Sequence, residues 1–248
     1  MLGPKGLERL YQRGAAKAML PRIGHSAPEV VFLNTAGGLT GGDRFSSALK
    51  LRSGAATGTT QTAERAYRSP VGRADVTVRL DVGPGASLAW LPQETILYDG
   101  AAMTRDTEAV LGDGARLVLC DMIVLGRIAM GEDVRRLDLI DRRQVTRRGR
   151  PVLIEALRLG AGDLARRGAA GLRGARAIAA LHLIADDAPD RLAPLRNLLP
   201  EDMAVAASAW DGRLSLRAMD ADPARLRDLL TRLIPCLTGR PLPRVWPT

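Results

Sequence analysis

The chain has 248 residues, 46% of them apolar and only 3% aromatic, with a formal net charge of +9 at neutral pH. That length and apolar content suit a sizeable core of Leu, Val, Ile and Ala and exclude a chain disordered throughout. The charge is regional, with twelve arginines against four acids between Arg135 and Arg176, and no Phe, Tyr or Trp to stack bases lies between Tyr98 and Trp210, which argues against nucleic acid.

The opening segment, MLGPKGLERLYQRGAAKAML, carries charges every few residues, so neither a signal peptide nor a membrane span is expected and a cytoplasmic location is. The stretch from Asn34 to Arg44, NTAGGLTGGDR, packs four glycines into six residues, which signals a backbone that comes close to something. A phosphate loop would need a lysine and a helix after the glycines; here there is no lysine, and an alternating run (Ser47 to Arg52, SALKLR) follows. The dinucleotide fingerprint also fails, because Leu39 stands where the second glycine belongs. The loop is therefore read as a tight corner against strands or a partner's backbone, with Asp43 placed near the interior.

Period-two alternation marks strands at Ser47 to Arg52 and Asp75 to Val82. Three segments then repeat: SGAATGTTQTAE, GPGASLAWLPQE and GDGARLVLCDM each begin with a Gly-Ala turn, at Gly54, Gly85 and Gly114, 31 and 29 residues apart. A turn and strand recurring at this interval predicts stacked turns of strand in which equivalent carboxylates line one side. Further strands are expected over Leu153 to Leu159 and Ala179 to Ala185. The Arg-rich region from Arg135 to Arg176 reads as a solvated surface or a docking face for an acidic protein. A helix is expected over about Pro189 to Leu199, and a second begins at Asp222-Pro223, with Leu226, Leu229, Leu230, Leu233, Ile234 and Leu237 on one face. With no linker long enough to divide it, the chain reads as one mainly β domain over residues 1–248: a β-helix-like stack of strands with two short C-terminal helices.

Catalytic groups are scarce. The two cysteines, Cys120 and Cys236, are far apart and read as buried free thiols. Of the two histidines, His182 lies in the apolar run ALHLIA and reads as a satisfied sheet residue, and neither it nor His25 belongs to a metal-binding motif. What remains is a set of carboxylates in apolar or glycine-rich company: Asp43, Glu64, Glu94, Asp99, Asp121 and Glu132. Each either pairs with an arginine such as Arg44, Arg65, Arg68 or Arg127, or belongs to a set of oxygen ligands that binds a divalent ion weakly and exchangeably. A third reading makes Glu94 and Asp99 the acid and base of a carboxylate-dependent hydrolase or lyase on a β-solenoid-like fold, but the shortage of aromatic residues for a sugar-binding groove weighs against it.

Five motifs in order, NTAGGLTGGDR, TTQTAERAYRS, WLPQETILYDGA, GRIAMGE and the terminal LPRVW, resemble the urease accessory protein UreD (UreH) family from about Leu10 to Trp246. The resemblance implies a non-enzymatic scaffold that binds apo-urease, UreF and, via UreF, the GTPase UreG, with no tightly bound cofactor. It also implies a transient nickel path, for which Asp43, Glu64, Glu94, Asp99, Asp121 and Glu132 are the candidate residues. The sequence departs from the family pattern in three places. The segment before LYQRGAAKAMLPR is short, which is expected to leave a sheet edge open; Asp121 stands where Glu is usual; and Arg143 stands where Trp is common.

Overall fold

A computed structural model of the chain describes residues 1–21, 27–166, 168 and 171–246; His25 lies outside them. The N-terminal part is almost all strand: β1 (Leu2–Gly3), β2 (Gly6–Leu7), β3 (Ala16–Met19), β4 (Glu29–Asn34), β5 (Arg44–Leu51), β6 (Ala55–Thr60), β7 (Glu64–Ala66) and β8 (Ala74–Val82). There follow β9 (Ser87–Leu91), β10 (Thr95–Leu97), β11 (Ala101–Leu111), β12 (Arg116–Leu125), β13 (Leu137–Arg147) and β14 (Arg150–Gly160). The remainder mixes types: α1 (Ala161–Ala165), β15 (Ala177–Ile184), α2 (Leu192–Arg196), β16 (Ala204–Trp210), β17 (Arg213–Asp220) and α3 (Pro223–Thr238).

The glycine turns set the architecture. Gly54, Gly85 and Gly114 all have positive φ, which L-residues with a Cβ adopt only at a cost. The strands after them stack in parallel: β6 pairs with β9, Ala55 opposite Ser87, and β9 with β12, Ser87 opposite Arg116. The result is a solenoid-like stack of about three turns. Its two walls are a seven-stranded sheet, in the order β14-β13-β11-β8-β5-β1-β2, and a ten-stranded sheet that runs β16-β17-β15-β12-β9-β6-β4-β3 with β7 and β10 added beside β12. The short hairpin of β1 and β2 lies on β5 and ends the seven-stranded sheet.

Between the walls lie two separate apolar cores. One gathers Leu49, Leu80, Leu88, Trp90, Ala109, Leu117 and Val145; the other gathers Leu97, Met103, Ile123, Leu139 and Leu159. A third core lies on the outer face of the ten-stranded sheet, beneath α3, whose six-residue apolar stripe is fully buried against Leu181, Leu183 and Leu216. Asp222 caps α3 as expected, its carboxylate accepting the Ala224 N–H at 2.8 Å.

Several expectations need correction. The helix expected over 189–199 shrinks to a single 3-10 turn at Pro189–Arg191 and the five residues of α2, because Pro194 removes a helical N–H donor and its ring crowds the preceding turn. Cys236 is exposed, lying off the buried stripe of α3, while Cys120 is buried as expected. The arginine-rich stretch is not simply a solvated surface. Most of it is strand β13 and β14, with Arg143 buried and Arg136, Arg142, Arg147 and Arg148 paired to acids on neighbouring strands or turns.

Candidate functional site

Side chains alternate across each strand, so every second residue of β11, β12 and β13 faces the opposite wall. Along β11 the inward series is Met103, Arg105, Thr107, Ala109, and along β13 it is Leu139, Asp141, Arg143, Val145. In both strands the apolar series is broken for two positions. Those breaks, with Asp121 of β12, form a polar belt that separates the two inner cores.

The belt is dense with charge. Asp141 is fully buried and accepts from Arg105 Nε at 3.0 Å and Nη2 at 2.7 Å. Arg105 also bonds Asp121 and donates to Thr95 Oγ1 at 3.1 Å. Arg143 donates to Asp121 and Asp141 through Nη2 and to Glu155 through Nη1 at 2.8 Å. Glu155 in turn bonds His182 Nε2 at 3.0 Å and Arg217 Nε at 2.9 Å, and His182 Nδ1 reaches Ser215 Oγ at 3.0 Å. His182 is therefore the satisfied sheet histidine expected. Burial opposes the charged state of these groups, but opposite charges and hydrogen bonds outweigh it. Arg105 is held above its ordinary range by Asp121 and Asp141, while Asp141 is held low by Arg105 and Glu155 by His182 and Arg143.

Beside the belt is a cavity of about 170 Å³. Asn34, Gln61, Thr62 and Glu64 line it, as do Arg105, Cys120, Asp121 and Arg143. Glu64 accepts from Asn34 Nδ2 at 3.3 Å and from the Arg65 N–H at 3.0 Å, but burial prevails and raises its pKa above the ordinary value. Burial likewise pushes the Cys120 thiol far up, so it is not a thiolate at neutral pH.

Of the six candidate carboxylates, only Glu64 and Asp121 line this cavity. Asp43 is exposed, contrary to the interior placement expected, and closes its own turn by accepting the Thr40 N–H at 2.8 Å. Asp99 and Glu132 do come together: the Asp99 N–H donates to Glu132 at 3.2 Å. Asp99 accepts from Arg136 Nη2 and from the N–H groups of Arg135 and Arg136, which bring its pKa down to about 2. Glu132 is held low by Arg127. Glu94 pairs with Arg227 of α3 at 2.6 Å, and Arg227 also holds the Trp246 carbonyl, fixing the terminal LPRVW segment against the sheet. Glu94 and Asp99 thus answer to separate arginines. The carboxylates do not stack as equivalents either: in register Glu64 lies beside Thr95 and Thr95 beside Ile123, which puts Glu94 and Asp121 one and two residues out of line. Among the described residues no three His, Cys, Asp or Glu side chains form a metal-binding group.

The glycine loop approaches its own neighbouring turn. A Cβ at Gly38 would collide with the Tyr67 ring and lie 2.8 Å from the Arg65 carbonyl, and one at Gly41 would strike the Val71 carbonyl. Leu39 bridges to Ala66 in parallel, so the loop packs against the turn stack.

The belt residues that sequence reading missed are Arg105, Asp141 and Glu155. The available signal was a charged residue at an inward parity position of an otherwise apolar strand face.

Comparison with known proteins settles the family. Residues 2–247 match the family model described as UreD urease accessory protein. The chain belongs to the UreD family. It is 52% identical over 242 residues to the urease accessory protein UreD of Jannaschia sp. (strain CCS1), covering 97% of this chain and 90% of that one. It is 51% identical over 249 residues to UreD of Cereibacter sphaeroides (strain ATCC 17025), covering 99% and 90%. UreD of Methylobacterium sp. (strain 4-46) is 43% identical over 256 residues, with 99% and 90% covered. Membership supports a role in urease maturation, and no helix among the described residues is long and apolar enough to cross a membrane.

Proposed function

We propose that this chain is a non-catalytic scaffold in the cytoplasm that holds the urease apoprotein and UreF, reaches the GTPase UreG through UreF, and gives nickel a route through the protein on its way to urease. The observation that carries this reading is the cavity between the sheets, with Glu64 and Asp121 in its lining. Oxygen donors hold a borderline divalent ion weakly and let it exchange, which suits cargo better than a resident cofactor. Glu64 and Asp121 are the residues proposed for the route. Asp43, Glu94, Asp99 and Glu132, each with its own donors, are proposed to shape the surface turns beside it.

Co-expression of urease with its accessory proteins, with and without this chain, tests the role: urease activity should depend on its presence, and unchanged activity on omission would refute the proposal. Glu64→Ala should lower the nickel content of purified urease while UreF still co-purifies. Full nickel loading in that variant removes Glu64 from the route.

A further inference from the structure

Arg143 is the one side chain that touches both halves of the polar belt. On the cavity side it bonds Asp121 and Asp141; on the other side it donates to Glu155 at 2.8 Å, and Glu155 leads on to His182 and to the largely exposed Arg217. Arg143 also lines the cavity, whereas Glu155 and His182 do not. The guanidinium is therefore part of the cavity wall, and the polar line continues behind it.

We infer that Arg143 is a barrier of the same sign as the proposed cargo: it stops a divalent cation at the Asp121 end of the cavity and separates that chamber from Glu155 and the opposite edge. Three features carry this. The guanidinium is only 5% exposed and is held by three carboxylates on three strands, β12, β13 and β14, so it is a fixed part of the wall. Its Nη2 already occupies oxygens of Asp121 and Asp141 that a cation would need. Arg105 stands beside it as a second buried positive charge, and like charges repel far more strongly in a dry interior than in water. The meaning for urease rests on the nickel route proposed above; the test does not.

Crystals of the full chain soaked in nickel(II) alone, with anomalous difference maps at the nickel edge, read where the cation stands. In the parent, density should lie only on the Glu64 side of Arg143; in Arg143→Met it should also appear beyond, at Glu155 and His182. Because that variant leaves the buried belt one positive charge short, Asp121→Asn combined with Arg143→Met, which removes one charge of each sign, serves as the second test and should give the same extension. Density beyond Arg143 in the parent overturns the barrier and leaves the route standing, as does density confined to the Glu64 side in both variants. Absence of nickel from the belt in parent and variants alike overturns the barrier and the route together.

Discussion

Glu64 combines a carboxylate with a site that resists its charge. Burial raises its pKa above the ordinary 4.5, outweighing the hydrogen bonds from Asn34 and Arg65. The folded state thus holds the proton more tightly than the unfolded chain. The stability tied to the protonated form is complete below 4.5 and is lost as the pH rises through the folded value. Glu64→Gln should therefore melt at a higher temperature than the parent near neutral pH, with the two curves converging in acid; calorimetry across that range checks it, and a constant offset at all pH values would contradict the assignment. Asp121 and Arg143 show a second relation at this scale. The two strand positions expected to depart from the UreD pattern are hydrogen-bonded to each other.

At the level of elements, the turns are legible in the sequence because a positive φ favours glycine: Gly54, Gly85 and Gly114 precede β6, β9 and β12. The apolar stripe of α3 was equally plain. The belt was hidden because alternation shows that Arg105 and Asp141 share faces with buried apolar residues, yet one strand alone does not show that their partners sit opposite. Strand β13 was masked by its arginines, and α1 by having only five residues. The C-terminal segment is held in a way that the LPRVW motif alone did not disclose. Trp246 is 3% exposed, its Nε1 donates to the Leu91 carbonyl at 3.1 Å and to Thr59 Oγ1 at 3.3 Å, and Arg227 lies over its ring. Trp246→Ala should cost about 3–5 kcal/mol in urea unfolding, as for other buried aromatic truncations. Trp246→Phe keeps one aromatic ring but loses the N–H donor and part of the indole volume, so its loss should be smaller than that of Trp246→Ala.

For the molecule as a whole, a buried charged belt between two apolar cores is not the arrangement that stability alone would select. A buried ion pair recovers its desolvation cost only when its geometry and hydrogen bonding are good, and apolar replacement of a whole pair is often neutral or stabilising, whereas removing one partner costs about 3–5 kcal/mol. Asp141→Leu alone should fall in the costly class, since it strips Arg105 and Arg143 of a fully buried partner. Combining it with Arg105→Met removes one charge of each sign and extends the apolar series on β11 and β13 by one position each, with Thr107 and Arg143 left in place. Asp121, Arg143, Glu155 and Arg217 keep one another as partners in that double variant. It should recover most or all of the stability lost by Asp141→Leu in chemical unfolding, yet support less urease activation on co-expression if the belt serves the nickel route. A double variant as stable as the parent and equally active would assign the belt to holding the two sheets in register, because its charges would then be dispensable for delivery.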